Sequence, residues 1–278
     1  MTSSWLLVTA GFGNENIEKA AYRVRSQADG LDIFDKVLAF TNADLEQACP
    51  LVFAKYSDFL NEFHKGFGYM SWKSEICYRA LHGHFGDFDG VIWVDAGCEI
   101  FDTPWTRIRL KRWLSQTESK GYFLFSLDTP ERDFTKSRVF NEFSTLSAND
   151  VTPQIQTTWF MLHGEIGREI SKRWLDATLK DISMLDLSES PGGEVSTFVE
   201  HRNDQSLFSL TIKSMKIVVE SYFPMPGGRN LGAQIQAITH PIWVSRNRYG
   251  VSIIPSLWSC LFHRKTDLKR NSRRIIRK

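Results

Sequence analysis

Residues 89–99 run Asp89-Gly90-Val91-Ile92-Trp93-Val94-Asp95-Ala96-Gly97-Cys98-Glu99, and the fold class follows from them. Val91 to Val94 form a short apolar run that suits a strand buried on both faces. The run stops at Asp95, followed by a small residue and a glycine. A carboxylate at the carboxyl end of a buried strand sits where open α/β sheets bind ligands. Held there and partly desolvated, it can grip a divalent cation, and such a cation can in turn hold a diphosphate. The competing reading is that Asp95 only caps the next turn.

Working outward, Trp5–Thr9 predicts a first strand closed by Ala10-Gly11-Phe12-Gly13, and Asn14–Ala28 a helix capped by Asn14 or Asn16. Phe34–Phe40 predicts a second strand, which begins a βαβ unit. A helix over Gly68–Leu81 carries Trp72 and Lys73 near its start. Tyr122–Leu127 and Thr158–His163 predict further strands, Glu165–Leu179 and Asp204–Ser214 helices, and Lys216–Val219 a short strand. Pro and Gly cluster at 191–193, in the polar loop Ser188–Glu194, and at 224–228, where helix and central strand are excluded. No internal repeat or linker stands out. The expectation is an α/β fold over residues 1–263, a single domain with long loops in its second half, followed by a basic tail, 264–278.

The 278 residues are 42% hydrophobic and 24% charged, an ordinary globular balance. Aromatics reach 13%, which suits a rich core or a cleft that stacks on flat faces. The tail holds eight Lys/Arg against Asp267 alone, +7 in all, which leaves the preceding residues at −5 of the net +2. Such an arm suits anionic lipid, polyphosphate or plain solubilisation, with Trp258, Leu261 and Phe262 placed to help it dock. The acidic body argues against nucleic acid as a partner. Cysteines at 49, 77, 98 and 260 lack zinc spacing and suggest a reducing compartment. The start lacks the basic and long apolar regions of a signal peptide, and no run approaches the roughly 20 apolar residues of a membrane span. The expectation is therefore a cytoplasmic protein, with the tail as a route to peripheral contact with the inner membrane face.

Three segments together resemble the GT-A glycosyltransferases, which use nucleotide-sugars. The likeness is to bacterial and viral enzymes that build surface glycans, and more distantly to the glycogenin and lipopolysaccharide galactosyltransferase group. The segments are Phe67-Gly68-Tyr69-Met70-Ser71-Trp72-Lys73, Val91 to Cys98, and His201-Arg202-Asn203-Asp204-Gln205-Ser206-Leu207-Phe208. The resemblance implies a mixed central sheet flanked by helices. It also implies a nucleotide-diphosphate sugar as donor, a glycan or glycolipid acceptor, and Mn²⁺ or Mg²⁺ as the ion. The family's Asp-x-Asp motif departs here, because Gly97 stands in its third position. Asp95 is then the sure carboxylate. Glu99 would face the same way if 95, 97 and 99 lie on an extended segment. In the galactosyltransferase relatives a late histidine completes the metal shell, which points to His240.

The resemblance places Lys73 beside the strand end, where a positive charge would meet the departing diphosphate. Taken alone, Lys73 reads as an ordinary solvated helix lysine; Trp72 beside it and the family pattern reverse that reading. Trp72 and Ala96 adjoin these donor-side residues. Gly11 and, more weakly, Thr9 and Asn42 would lie by the nucleotide. A dinucleotide fingerprint would need a third glycine where Asn16 stands, so NAD is disfavoured. Asp204 and Gln205 resemble the family's Asp-Gln pair near the sugar. Asp204 suits hydroxyl binding, general-base work or a plain helix start. Asp128, after a predicted strand, is a further carboxylate near the sugar. His201 reads as loop surface or an acceptor contact, and His240 equally as a loop histidine before Pro241. The other function class is a sugar- or nucleotide-binding protein of the same fold without catalysis, which Gly97 would favour.

Overall fold

The computed structural model describes residues 3–143, 146–219 and 240–250. A five-stranded sheet in the order β2-β1-β3-β8-β5 forms its centre. These strands are β1 (Trp5–Ala10), β2 (Lys36–Phe40), β3 (Gly90–Val94), β5 (Tyr122–Phe123) and β8 (Trp159–His163). β1 runs parallel to β2 and β3, whereas β3 and β8 are antiparallel, with Trp93 opposite Phe160. The sheet is thus mixed, as expected.

Alternation along the strands builds two cores. Leu6, Val8, Val91, Trp93, Phe160 and Leu162 face one side, where they meet the helices Trp72–Leu81, Gly164–Thr178 and Asn203–Ser214. Leu7, Ile92, Val94 and Met161 face the other, against Glu15–Asp29 and Pro104–Lys120. Each fully buried aliphatic side chain contributes about 1.5–3 kcal/mol, so covering both faces fixes β3 at the centre of the molecule. Two small sheets adjoin it. β4 (Glu99–Ile100) pairs with β9 (Ile242–Trp243), and β6 (Ser126–Pro130) with β7 (Pro153–Ile155).

Several expected elements change. Tyr122–Leu127 is not one strand: Tyr122–Phe123 closes the main sheet, and Ser126 begins the small one. Lys216–Val219 is not a strand. Lys216 takes a left-handed φ of 55° and the Ile217 N–H returns to the Ile212 carbonyl at 3.4 Å, the usual way of satisfying a helix end. The predicted 68–81 helix begins only at Trp72. Before it, Gly66, Phe67, Gly68, Tyr69 and Met70 all have positive φ. The Tyr69 and Met70 N–H groups donate to the Lys65 and Gly66 carbonyls, which makes one turn of left-handed helix.

Among the described residues no helix is long and apolar enough to cross a membrane. The basic tail, with Trp258, Leu261 and Phe262, Cys260, and the 224–228 cluster lie outside the described residues.

Candidate active site

The carboxyl end of β3 delivers Asp95, and the Asp95 N–H donates to the Thr158 carbonyl at 2.8 Å. The first turn of the Trp72–Leu81 helix delivers Lys73, and that of the Asn203–Ser214 helix delivers Asp204. These three residues, far apart in the chain, converge. The Lys73 Nζ lies 2.9 Å from Asp95 Oδ1 and 3.0 Å from Asp204 Oδ2. It also lies 3.4 Å from the Thr157 carbonyl and 5.4 Å from the Trp93 ring centroid. The Thr157 hydroxyl donates to Asp204 Oδ2 at 3.0 Å, and Trp93 Nε1 donates to Asp95 Oδ1 at 2.7 Å.

Burial grades the triad. The Lys73 side chain is 1% exposed and that of Asp204 8%, whereas Asp95 keeps 24%, at the lip. Burial alone would push the Lys73 ammonium toward neutrality, but Asp204 and Asp95 outweigh it and its pKa rises above the ordinary lysine value. Lys73 is a fixed positive charge. Burial raises the Asp204 carboxyl, with the Lys73 ammonium opposing. With both acids ionised the three side chains sum to −1, which leaves a cation's worth of negative charge at the lip.

The chain leaving β1 turns tightly into the next helix. A Cβ on Gly11 would stand 2.3 Å from the Ile17 carbonyl oxygen, so no other residue fits the helix start there. Asn42 clamps the Gly13 turn, accepting from the Gly13 N–H and donating to its carbonyl, both at 2.9 Å. Thr9 is fully buried and its hydroxyl has no partner among the described residues. Trp72 packs edge-on to Phe12, with centroids 4.8 Å apart, and its Nε1 donates to the Phe67 carbonyl at 3.1 Å.

The other candidates do not join the triad. The segment after Asp95 is not extended: the Cys98 N–H turns back to the Asp95 carbonyl at 2.9 Å. This breaks the alternation that would have kept Glu99 beside Asp95. Glu99 is fully buried instead, and its Oε1 accepts from Asn247 Nδ2 at 3.0 Å. His240 is buried 6.1 Å from the Trp113 ring. Burial and then Arg109 push its pKa down to about 4. The Gly97 carbonyl accepts from the Asn247 N–H and the Ser245 hydroxyl, both at 3.0 Å. Among the described residues no three His, Cys, Asp or Glu side chains gather as a metal site. Of the expected ligands only the Asp95 side chain stands in the triad at the lip, so the oxygens of a bound diphosphate would have to complete any ion's shell. Asp128 is exposed on β6, and Gln205 Nε2 donates to Gln154 Oε1 at 2.6 Å. His201 is not at the surface: it is 4% exposed, with Nε2 2.9 Å from the Met184 carbonyl.

Sequence reasoning missed Thr157, which touches the triad, and the buried polar residues Arg23 and Gln156. Arg23 lies buried under the site loop and donates to the carbonyls of Ala96 (2.9 Å), Cys98 (2.8 Å) and Asn247 (3.1 Å), and also to that of Tyr249. Thr157 and Gln156 sit in the polar stretch 154–158 just before an apolar strand, the signal that was available. Both amide atoms of buried Gln156 lack partners among the described residues.

No family model and no curated protein matches the chain. Among solved structures it is similar to the crystal structure of mouse xyloside xylosyltransferase 1, apo form. The TM-score is 0.43 at 11% identity, over 90% of this chain and 100% of that one. It is also similar to a glycosyltransferase involved in the glycosylation of the major capsid of PBCV-1. There the TM-score is 0.44 at 12% identity, over 86% of this chain and 91% of the other.

Proposed function

We propose that the chain transfers a sugar from a nucleotide-diphosphate donor to a saccharide or lipid-linked acceptor. The observation that carries this is the buried Lys73 ammonium held between Asp95 and Asp204 at the carboxyl end of the sheet. As the sugar C1–O bond breaks, negative charge gathers on the diphosphate, and a charge fixed in advance stabilises that state most. Lys73 holds Asp95 and Asp204 in place, but the three charges sum to −1, so the charge that would meet the diphosphate is that of an ion on Asp95. Mn²⁺ or Mg²⁺ is part of the proposal: Asp95 would hold it, and the ion would neutralise the diphosphate. Asp204 fixes Lys73 and is offered, with Gln205 and Asp128, for the hydroxyls of donor or acceptor. Gly11, Thr9 and the Asn42-clamped turn would border the nucleotide. Peripheral membrane contact through the basic tail belongs to the proposal as the way to reach a lipid-linked acceptor.

A thermal-shift screen with UDP, GDP, CMP and their sugars, with and without Mn²⁺, tests this, since a ligand of the native state raises its stability by mass action. One nucleotide class is expected to raise Tm, and its sugar to be slowly hydrolysed. Asp95→Ala is expected to stay folded and lose turnover. No shift with any nucleotide, or full turnover in folded Asp95→Ala, would overturn the proposal. Gly97, in place of a second acid, favours a binding protein without catalysis, which would show the shift and no hydrolysis.

A further inference from the structure

A cleft lies along the edge strand β2. Lys36 and Phe40 share one face of that strand by alternation. Together with Gln47, Arg79, His84 and Phe85 they help to enclose 310 Å³. Phe40 and Phe85 make an aromatic wall, with centroids 5.0 Å apart. The Arg79 guanidinium lies 5.6 Å from the Phe85 centroid. The Lys36 Nζ is steadied by the Phe85 carbonyl at 3.0 Å. Arg79 Nε is buried without a hydrogen-bond partner among the described residues. Glu75, the acid that acts on Arg79 along the helix, gives its oxygens to the Leu51 and Val52 N–H groups. A lysine, an arginine and a histidine thus line the cleft, and no carboxylate is among the residues lining it.

This chemistry selects an anion that also carries a ring. Bare phosphate would leave the aromatic wall unused, and a neutral sugar would leave the cations unpaired. The volume stands at the small end of ligand sites, where a single ring fits. We propose that this cleft is an accessory site for an acidic sugar unit of a glycan, a pyranose bearing a carboxylate or a phosphate. It is separate from the Lys73 triad: Arg79 lies six residues on, about 9 Å along the same helix. The choice of a sugar as the ring rests on the transfer reading, whereas the selection of an anion that carries a ring does not.

Saturation-transfer NMR titrations with glucuronate, glucose 6-phosphate, glucose and inorganic phosphate test it. At least one of the two acidic sugars is expected to bind, and the two arms distinguish carboxylate from phosphate. Glucose and inorganic phosphate are expected to bind at least about tenfold more weakly, the worth of one charge-assisted hydrogen bond. The exposed pair of substitutions Lys36→Gln and His84→Gln is expected to weaken acidic-sugar binding by about tenfold or more at unchanged Tm. The site is refuted if neither acidic sugar binds, if glucose or phosphate binds as well, or if the double variant binds as the wild type does.

Discussion

Lys73 carries a heavy electrostatic burden. A lysine with 1% exposure survives only because two carboxylates and a carbonyl surround it. Removing one partner of a buried ion pair costs about 3–5 kcal/mol, because the other charge is left uncompensated. Lys73→Met is therefore expected to destabilise the fold by that order in urea unfolding. Adding Asp204→Asn is expected to restore part of the loss, since it removes the stranded acid. Strictly additive losses would mean that the two side chains do not share a charge balance. Gly97 offers the complementary gain. A Cβ there meets only the Arg246 backbone, at 3.6 Å, an ordinary contact, and its φ is not left-handed. Gly97→Asp is thus expected to fold with near-native Tm and to sharpen the Mn²⁺ dependence of nucleotide binding. Nucleotide affinity with the same Mn²⁺ response as the wild type would show that position 97 does not face the ion. Asp95 stood out in the sequence because it ends a strongly apolar run, whereas Lys73 and Asp204 were singled out only by the family resemblance, since a lysine or aspartate near a helix start has no distinctive pattern of its own. Glu99 was misread because one backbone hydrogen bond, from Cys98 to Asp95, turns the chain before it. Such a turn leaves no periodic trace.

The elements that hold the triad differ in how plainly the sequence announces them. β1 and β3 are continuous apolar runs, and the Glu15–Asp29 helix has its Asn14 cap, whose side chain accepts from the Asn16 and Ile17 N–H groups. Propensity and pattern agree there, so the prediction and the structure coincide. The left-handed turn 66–70 was hidden, because three of its residues, Phe67, Tyr69 and Met70, are not glycine. Each bears a cost of about 1–2 kcal/mol in that region, which only tertiary contacts offset. The turn sets where the Trp72–Leu81 helix begins and hence where Lys73 enters the core. Gly68 is its tightest point: φ is 84°, and a Cβ would stand 2.7 Å from Leu60 Cδ2 and 3.0 Å from the Phe59 carbonyl. Gly68→Ala is expected to cost about 2 kcal/mol or more and to reduce turnover beyond its effect on the folded fraction. A variant with wild-type Tm would show that the turn relaxes freely. Gly164 makes the control, since its φ is also positive, at 60°, and nothing stands within 4 Å of its Cβ.

At the scale of the whole molecule, buried histidines link stability to pH. His201 is held neutral in a pocket where Lys136 donates its N–H toward Nδ1 at 3.5 Å and Nε2 meets the Met184 carbonyl. Burial, then the Lys136 ammonium, push its pKa down to about 3 from an ordinary 6.5. His240 is pushed to about 4 by burial and Arg109. In both cases the folded value lies below the unfolded one. The unfolded chain then binds more protons between the two values, and stability rises with pH across that window. The contribution is complete above about 6.5 and is lost as pH falls toward 4 and then 3, at up to about 1.4 kcal/mol per pH unit for each histidine. The raised carboxyls of Asp204 and Glu75 act in the opposite direction, so the overall profile mixes both signs. A difference measurement separates them. His201→Gln is expected to be less stable than the wild type at pH 7.5, because it disturbs a packed pocket. Between pH 7.5 and 5.0 that gap is expected to close by about 2 kcal/mol, since the variant no longer faces the cost of keeping an imidazole neutral. Urea unfolding of both proteins at the two pH values reads the change. A gap that stays constant would mean that His201 takes up its proton in the folded state without resistance. The pocket joining His201 to Met184 and Lys136 would then not be dry.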